Sequence, residues 1–151
     1  ILTLATASLA NDLVTARVIG VADGENIIVL TASNKRIIIK LAGIDCPERG
    51  QAFAQEALQF TSDHCLGKTV SYRIYGVDIY NRIIAMVYLE DGRELNLEIL
   101  KAGYAWHYKR YAKRQNYAEA ENHARRLGIG LWADKNPTPP WEWRRERGGK
   151  S

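Results

Sequence analysis

The sequence predicts an α+β fold that is mainly β: a five-stranded barrel with three helices. Short β-branched runs separated by Gly, Asn and Asp turns recur through the first half of the chain. Three longer segments switch to the spacings of three, four and seven that one face of a helix requires. The first of these helical segments falls between the third and fourth strands.

In chain order, Val14 to Val21 is the first strand and Asp23-Gly24-Glu25-Asn26 is a turn. Ile27 to Thr31 is the second strand and Arg36 to Leu41 the third, separated by Ala32-Ser33-Asn34-Lys35. Gln51 to Leu66 has Phe53, Ala57 and Phe60 at helical spacing, and Gly67 is a natural stop. Thr69 to Tyr75 alternates again, with Val70, Tyr72 and Ile74 on one side. After a turn over 76–81, Arg82 opens a fifth strand that reaches Leu89, where Asp91-Gly92 signals a turn. Glu94 to Ala102 and Tyr117 to Leu127 read as helices, each closed by a glycine, with the aromatic, strand-like Tyr104 to Tyr108 between them. This order suits the small closed barrel of the oligonucleotide/oligosaccharide-binding type, the OB-fold.

A chain of 151 residues with 46% hydrophobic content is one domain with room for a real core. Its formal charge of +4 makes an acidic partner plausible without requiring one. The helix between Cys46 and Cys65 would hold them about 20 Å apart, at about 1.5 Å per residue, so both are expected to be free thiols. The small, apolar stretch Ile1 to Ala10 resembles the tail of a secretory signal peptide, with Ser8-Leu9-Ala10 as a small-x-small site; a frayed terminus is the alternative. The resulting division is residues 1–10 as signal remnant, 11–135 as the barrel domain, and 136–151 as a Pro-, Trp- and Arg-rich tail. Asn136 to Pro140 excludes helix and central strand, and the charged end is expected to be exposed, with Arg144, Arg145 and Arg147 incidental.

The chemistry concentrates in three stretches at strand ends: Asp23 to Asn26, Lys40 to Glu48, and Asp78 to Arg82. A hard cation takes carboxylate and carbonyl oxygens, which Glu25, Asp45 and the backbone carbonyl of Cys46 can supply. Glu48 is placed to take a proton from water. Lys40 and Arg82 are fixed cations for charge developing on phosphoryl oxygens. Any one of these stretches alone is an ordinary turn; the three together in this order suit phosphodiester cleavage.

Val18 to Glu25, Leu41 to Glu48 with its Gly-Ile-Asp-x-Pro-Glu motif, Asp78 to Arg82, Leu97 to Tyr108, Ala118 to Trp132 and Pro139 to Arg145 together resemble the staphylococcal nuclease (thermonuclease-like) family. That resemblance implies a Ca²⁺-dependent endonuclease that cuts DNA and RNA with little sequence preference and leaves 3′-phosphates, and nothing in the sequence demands more than a monomer. The expected localisation is secreted or periplasmic, with no membrane partner. By position, Asp45 becomes a calcium ligand, Glu48 the residue that activates water, and Arg82 the arginine at the scissile phosphate. Glu25 stands where the family usually has an aspartate ligand, and Lys40 where it usually has a second arginine. Tyr80, Trp106 and Tyr108 fall where aromatic side chains border the nucleotide. Lysine keeps the charge of an arginine but lacks its planar fork.

His64, His107 and His123 read as surface or packing residues, and Trp132, Trp141 and Trp143 as packing anchors. The basic stretch from Lys109 to Arg114 suits either a phosphate backbone or solvent. The competing functional readings are an OB-fold nucleic-acid-binding module with weakened or lost catalysis, and a barrel for protein or oligosaccharide recognition.

Overall fold

The computed structural model describes residues 13–110 and 113–148. The stretch Ile1 to Ala10 and two residues of the basic connection, Tyr111 and Ala112, lie outside the described residues. Five strands close a barrel: β1 (Leu13–Val21), β2 (Asn26–Leu30), β3 (Arg36–Leu41), β5 (Thr69–Val77) and β6 (Ile83–Tyr88). Going round, the order is β1-β2-β3-β6-β5, with β5 returning to β1. All contacts are antiparallel except β3 with β6, which run parallel and pair Lys40 with Ile84. Register shifts at Val18/Gly20 in β1 and Ile74/Gly76 in β5 add the local bend that closing so small a sheet requires.

The barrel interior is filled by the inward residues of these strands, among them Val18, Ile27, Val29, Ile39, Leu41, Tyr72, Ile84 and Met86, all nearly or fully buried. At one end α1 (Ala54–Cys65) presses Ala57, Thr61 and Cys65 against the core. This helix starts later than its apolar spacing suggests. Phe53 sits in the left-handed region at φ 67, a conformation in which the helix cannot continue backward, and its ring packs with a second apolar cluster. Cys46 and Cys65 are free and buried, as their separation required, and burial pushes the Cys65 thiol up to about 12.

The helix α2 (Leu95–Lys101) buries Leu95, Ile99 and Leu100. Its Asn96 is fully buried and bonded on both sides. The Asn96 carboxamide oxygen accepts the Val87 N–H at 3.0 Å, and its NH₂ donates to the carbonyls of Ala42 at 2.8 Å and Ala85 at 3.2 Å. One side chain thus ties α2, β6 and the turn after β3 together. The helix α3 (Gln115–Leu127) buries Tyr117, Ala120 and Ala124 and ends at Gly128 in the left-handed region, followed by a 3₁₀ turn over Gly130–Ala133.

Two features differ from the sequence expectation. The aromatic stretch around Trp106 forms only a two-residue strand, β7 (Trp106–His107), because its partner is the equally short β4 (Ile44–Asp45), and this pair makes a separate small sheet. There are also four α-helices among the described residues. The fourth, α4 (Pro140–Glu146), opens on a proline at its first turn, where no backbone N–H is needed. The proline run excludes helix through Pro139 and starts one at Pro140.

Trp132 and Trp141 are packing residues, as expected, and the residue they pack on is Trp106. Trp106 and Trp132 meet edge to face with ring centres 4.5 Å apart, and Arg125 lies over both rings. His64 stacks on Phe60 and bonds its carbonyl through Nδ1 at 2.7 Å, a local packing role.

Asn96→Ala leaves the Val87 N–H and the Ala42 carbonyl buried without their partner. At about 1–3 kcal/mol for each such group, the variant is expected to lose about 3 kcal/mol of unfolding free energy. Urea denaturation read by tryptophan fluorescence measures this, and a loss below about 1 kcal/mol would show that water or backbone movement replaces the bonds.

Candidate active site

One mouth of the barrel opens into a cleft of about 510 Å³, and all three chemistry-bearing stretches reach it. The β1–β2 turn brings Asp23, Glu25 and Asn26. β3 and the loop after it bring Lys40, Asp45 and Glu48. The β5–β6 turn brings Asp78, Tyr80 and Arg82.

Short-range bonding shapes the first of these turns. Asp23 Oδ1 accepts the N–H groups of Glu25 at 2.9 Å and Asn26 at 2.8 Å, an Asx turn that forces the chain back into β2. The turn lies close against α1. A Cβ on Gly24 would come within 2.8 Å of Ala57 Cβ and 2.9 Å of Cys46 Sγ, so only glycine fits. Thr61 on α1 also donates its hydroxyl to the Gly24 carbonyl at 2.6 Å. Glu25 is therefore held inward and buried, with Oε1 accepting the Cys46 N–H at 3.2 Å. Cys46, expected to offer its carbonyl to a cation, meets Glu25 through that N–H.

Asp45 is even more deeply buried, at 1% exposure, and is fixed by the β4–β7 pair, in which it faces Trp106. The Asp45 charge so near a buried Glu25 disfavours ionisation of Glu25. Burial, reinforced by the Asp45 charge, holds Glu25 well above the usual carboxylate range, with Lys40 acting against that shift. Lys40 Nζ stands 3.3 Å from Glu25 Oε2 in an ion pair whose alignment leaves that buried oxygen without a hydrogen bond. Burial lowers Lys40's affinity for its proton, and the charges of Glu25 and Asp45 more than reverse this, so Lys40 is raised.

Arg82 is gripped from two sides. Its Nε donates to Asp78 Oδ2 at 2.7 Å and one terminal nitrogen donates to Asn26 Oδ1 at 3.1 Å. Asn26 is itself held by its NH₂ group on both Asp23 oxygens at 2.9 Å. For Asp78, burial opposes ionisation, but bonds from the Arg82 backbone and side chain outweigh it and bring its carboxyl below the ordinary range. A chain of Asp23, Asn26, Arg82 and Asp78 thus presents the guanidinium to the cleft in one orientation.

Of the aromatic residues expected around a nucleotide, Tyr80 and Tyr108 line the cleft. Trp106 does not. It is 8% exposed, and its ring is enclosed by Trp132, Trp141 and Arg125. Trp106 is therefore corrected from a base-stacking residue to part of the wall that supports β7.

The tail also departs from expectation. Arg144, expected to be exposed and incidental, reaches into the cleft from α4. Its two terminal nitrogens donate to Asp45 Oδ1 at 3.1 Å and Oδ2 at 2.8 Å, a bidentate pair, and one of them also donates to Glu48 Oε1 at 2.6 Å. Its hydrogen bonds to Asp45 are the first reason that its pKa is raised. The one signal in the sequence that could have located it is the three-residue step from Trp141 to Arg144, which puts both on one helix face. Gln51 couples the same parts: its carboxamide oxygen accepts the Glu48 N–H at 2.9 Å, and its NH₂ donates to the Thr138 carbonyl at 2.5 Å.

Among the described residues, no group of three or more His, Cys, Asp or Glu side chains is gathered as a ready metal site. The donor chemistry still suits a hard cation. Two buried, mutually repelling carboxylates meet at one mouth, and one buried oxygen of Glu25 lacks a hydrogen bond.

The sequence profile of the family described as Staphylococcal nuclease homologue matches residues 38–134. A Haemophilus influenzae protein called an uncharacterized endonuclease is 43% identical over 132 residues, covering 87% of this chain and 74% of the relative. An Escherichia coli protein with the same description is 37% identical over 131 residues, covering 87% and 85%. An Arabidopsis thaliana protein described as staphylococcal-like nuclease CAN1 is 39% identical over 115 residues, 76% of this chain and 35% of that longer protein.

The raised Glu25 gives a pH test with a definite sign. The folded chain holds this proton more tightly than the unfolded chain does, so stability falls as pH rises from the ordinary carboxylate value of 4.5 toward the raised one. Glu25→Gln removes that titration. Urea unfolding between pH 5 and pH 8 is expected to show a shallower fall in the variant than in the wild type. Equal slopes would mean that Glu25 ionises normally in the fold.

Proposed function

The chain belongs to the staphylococcal nuclease homologue family, and on that footing we infer that it is a nuclease: a calcium-dependent, sugar-nonspecific endonuclease that hydrolyses DNA and RNA to leave 3′-phosphates. The observation that carries this is the convergence of Glu25, Asp45, Glu48, Lys40 and Arg82, from three separate stretches, on one cleft. Glu25 and Asp45 would hold the ion. When bound, Ca²⁺ supplies a Lewis acid that polarises the phosphoryl oxygen and lowers the pKa of water.

The chain's own residues supply the rest. Glu48 is the most open of the cleft acids that pair with cations, its side chain 37% exposed, and it can reach a solvent water and take its proton. The oxygen of that water becomes bonded to phosphorus as the bond to the 5′-oxygen breaks. The phosphate is thus left on the 3′ side, and the departing 5′-oxygen keeps the electron pair of the broken bond and takes a proton from solvent to leave as a 5′-hydroxyl. Arg82, already oriented by Asp78 and Asn26, meets the growing charge on the phosphoryl oxygens without having to reorganise. Lys40 adds a point charge beside Glu25 and Asp45. Tyr80 and Tyr108 offer faces to the flanking bases. Reading only backbone charge and generic base faces gives little preference between sugars or sequences. Export to the periplasm or medium and action as a monomer complete the proposal; both rest on the sequence.

A second reading, a nucleic-acid-binding module without chemistry, is favoured by one observation. Arg144 pairs with both Asp45 and Glu48, the acids that hydrolysis needs free. Digestion of supercoiled plasmid and of single-stranded RNA with calcium, and then with chelator, separates the two readings. Calcium-stimulated cutting that falls ~10²-fold or more in Glu48→Gln and in Arg82→Ala is expected. Retention of the polymer on the protein without cleavage would establish the binding module instead.

A further inference from the structure

We propose that Arg144 is a phosphate-gripping residue of the cleft: its guanidinium, paired here with Asp45 and Glu48, exchanges Asp45 for a phosphate oxygen of the bound polymer once that carboxylate is given over to a divalent ion. This rests on the nuclease reading above.

The first support is that the residue is built in. Helix α4 begins at Pro140, which is buried. Trp141 packs on Trp106 with ring centres 5.5 Å apart and on Tyr108 at 6.1 Å. Gln51 binds the chain just before the helix through the Thr138 carbonyl. A segment meant only to cover the site and leave would not be anchored on the aromatic wall of the fold. The helix can stay docked while the side chain alone, 23% exposed, swings.

The second support is charge. The cleft is lined by five carboxylates and four cationic side chains. With all of them ionised, as a divalent ion on Glu25 and Asp45 requires, that ion turns an excess of one negative charge into an excess of one positive charge, which a single phosphodiester neutralises. Asp45 is the partner that Arg144 holds with both terminal nitrogens, so giving Asp45 over to the ion frees that fork, while Arg82 stays with Asp78 and Asn26.

The third support is shape. A guanidinium matches two oxygens of a phosphate in one plane, which the Lys40 ammonium cannot do. Arg144 brings that fork to the cleft from the opposite end of the chain, and turning it onto a phosphate also releases Glu48, which it holds at 2.6 Å.

The test uses the full chain as wild type, Arg144→Ala, Arg144→Gln and Arg144→Lys. Glutamine keeps most of the stem, so α4 stays packed in at least one uncharged variant. Calcium is titrated calorimetrically without nucleic acid, and kcat and KM on DNA are measured at saturating calcium. If Arg144 competes for Asp45 and then grips phosphate, the Ala and Gln variants bind calcium roughly tenfold more tightly yet lose roughly 10²-fold in kcat/KM, and lysine recovers part of the loss. They also bind a phosphorothioate oligothymidylate more weakly. Turnover at or above wild type in the Ala and Gln variants would overturn the proposal and make Arg144 a cover on the carboxylates. Unchanged calcium affinity would overturn it as well, since Asp45 would not be what is exchanged. Failure of the nuclease reading itself shows separately, as a wild type that does not cut at saturating calcium.

Discussion

Two buried acids at one mouth of a closed barrel, close enough that the charge of one acts on the other, are the constraint around which the rest of this molecule is arranged. Glu25 and Asp45 are both nearly inaccessible, and isolated buried carboxylates are costly unless each finds a cation or a proton. Lys40 answers Glu25 from the neighbouring strand, and Arg144 answers Asp45 from the far end of the chain. The barrel makes such closeness possible. Asn26 pairs with Lys40 across β2 and β3, Lys40 with Ile84 across β3 and β6, and Asp45 with Trp106 in the small sheet, so each charged side chain starts from backbone that cannot yield. An open loop would let the two acids drift apart and solvate. A hydrogen-bonded ladder holds them together and leaves a cation or a proton as the remaining way to relieve them.

Arg82 illustrates a second use of the same economy. A guanidinium on a β-turn would ordinarily sample many rotamers, at an entropic cost when it is ordered. Here Asp78 takes its Nε and Asn26 a terminal nitrogen, while Asp23 fixes Asn26. Asp23 and Asp78 therefore act through Arg82, by setting its direction. The same two carboxylates also accept backbone N–H groups that shape their own turns. Local folding and the orientation of the cation are one set of bonds, and a change at Asp78 disturbs both.

The barrel strands and the first three helices were legible because their residues follow the periods that sheets and helices impose. Val70, Tyr72 and Ile74 alternate, and Tyr117, Ala120 and Ala124 recur at helical spacing. Boundaries were less legible where tertiary packing decides them. Phe53 breaks the apparent start of α1 because its ring is drawn into the tryptophan cluster, which no local pattern announces. The two-residue strands at Asp45 and Trp106 are too short for any period and exist only through each other. The meeting of Glu25, Asp45 and Arg82 was suggested by their places at strand ends, which a small barrel can gather on one rim, and sharpened by family resemblance, since spacing within a chain does not say which turns share a mouth. Trp106 was misplaced for a related reason: an aromatic residue near a site looks alike in sequence whether its face is open or covered.

The tail was the least legible part, and the reason is physical. Charge and proline content describe what a segment does in isolation, and residues 136–151 have the composition of an exposed end. Docking is decided elsewhere, by the flat surface that Trp106 and Tyr108 present and by the Gln51 carboxamide waiting beside Glu48. Given that surface, Pro140 fixes where the helix begins, Trp141 fixes its rotation, and the three-residue step to Arg144 follows from helix geometry alone. Asp45 and Glu48 then select an arginine at that step over any uncharged residue, because they would otherwise face the docked helix without a cation. The carboxylates at the mouth thus specify both ends of the structure, the turn that buries Glu25 early in the chain and the helix that closes over Asp45 late in it.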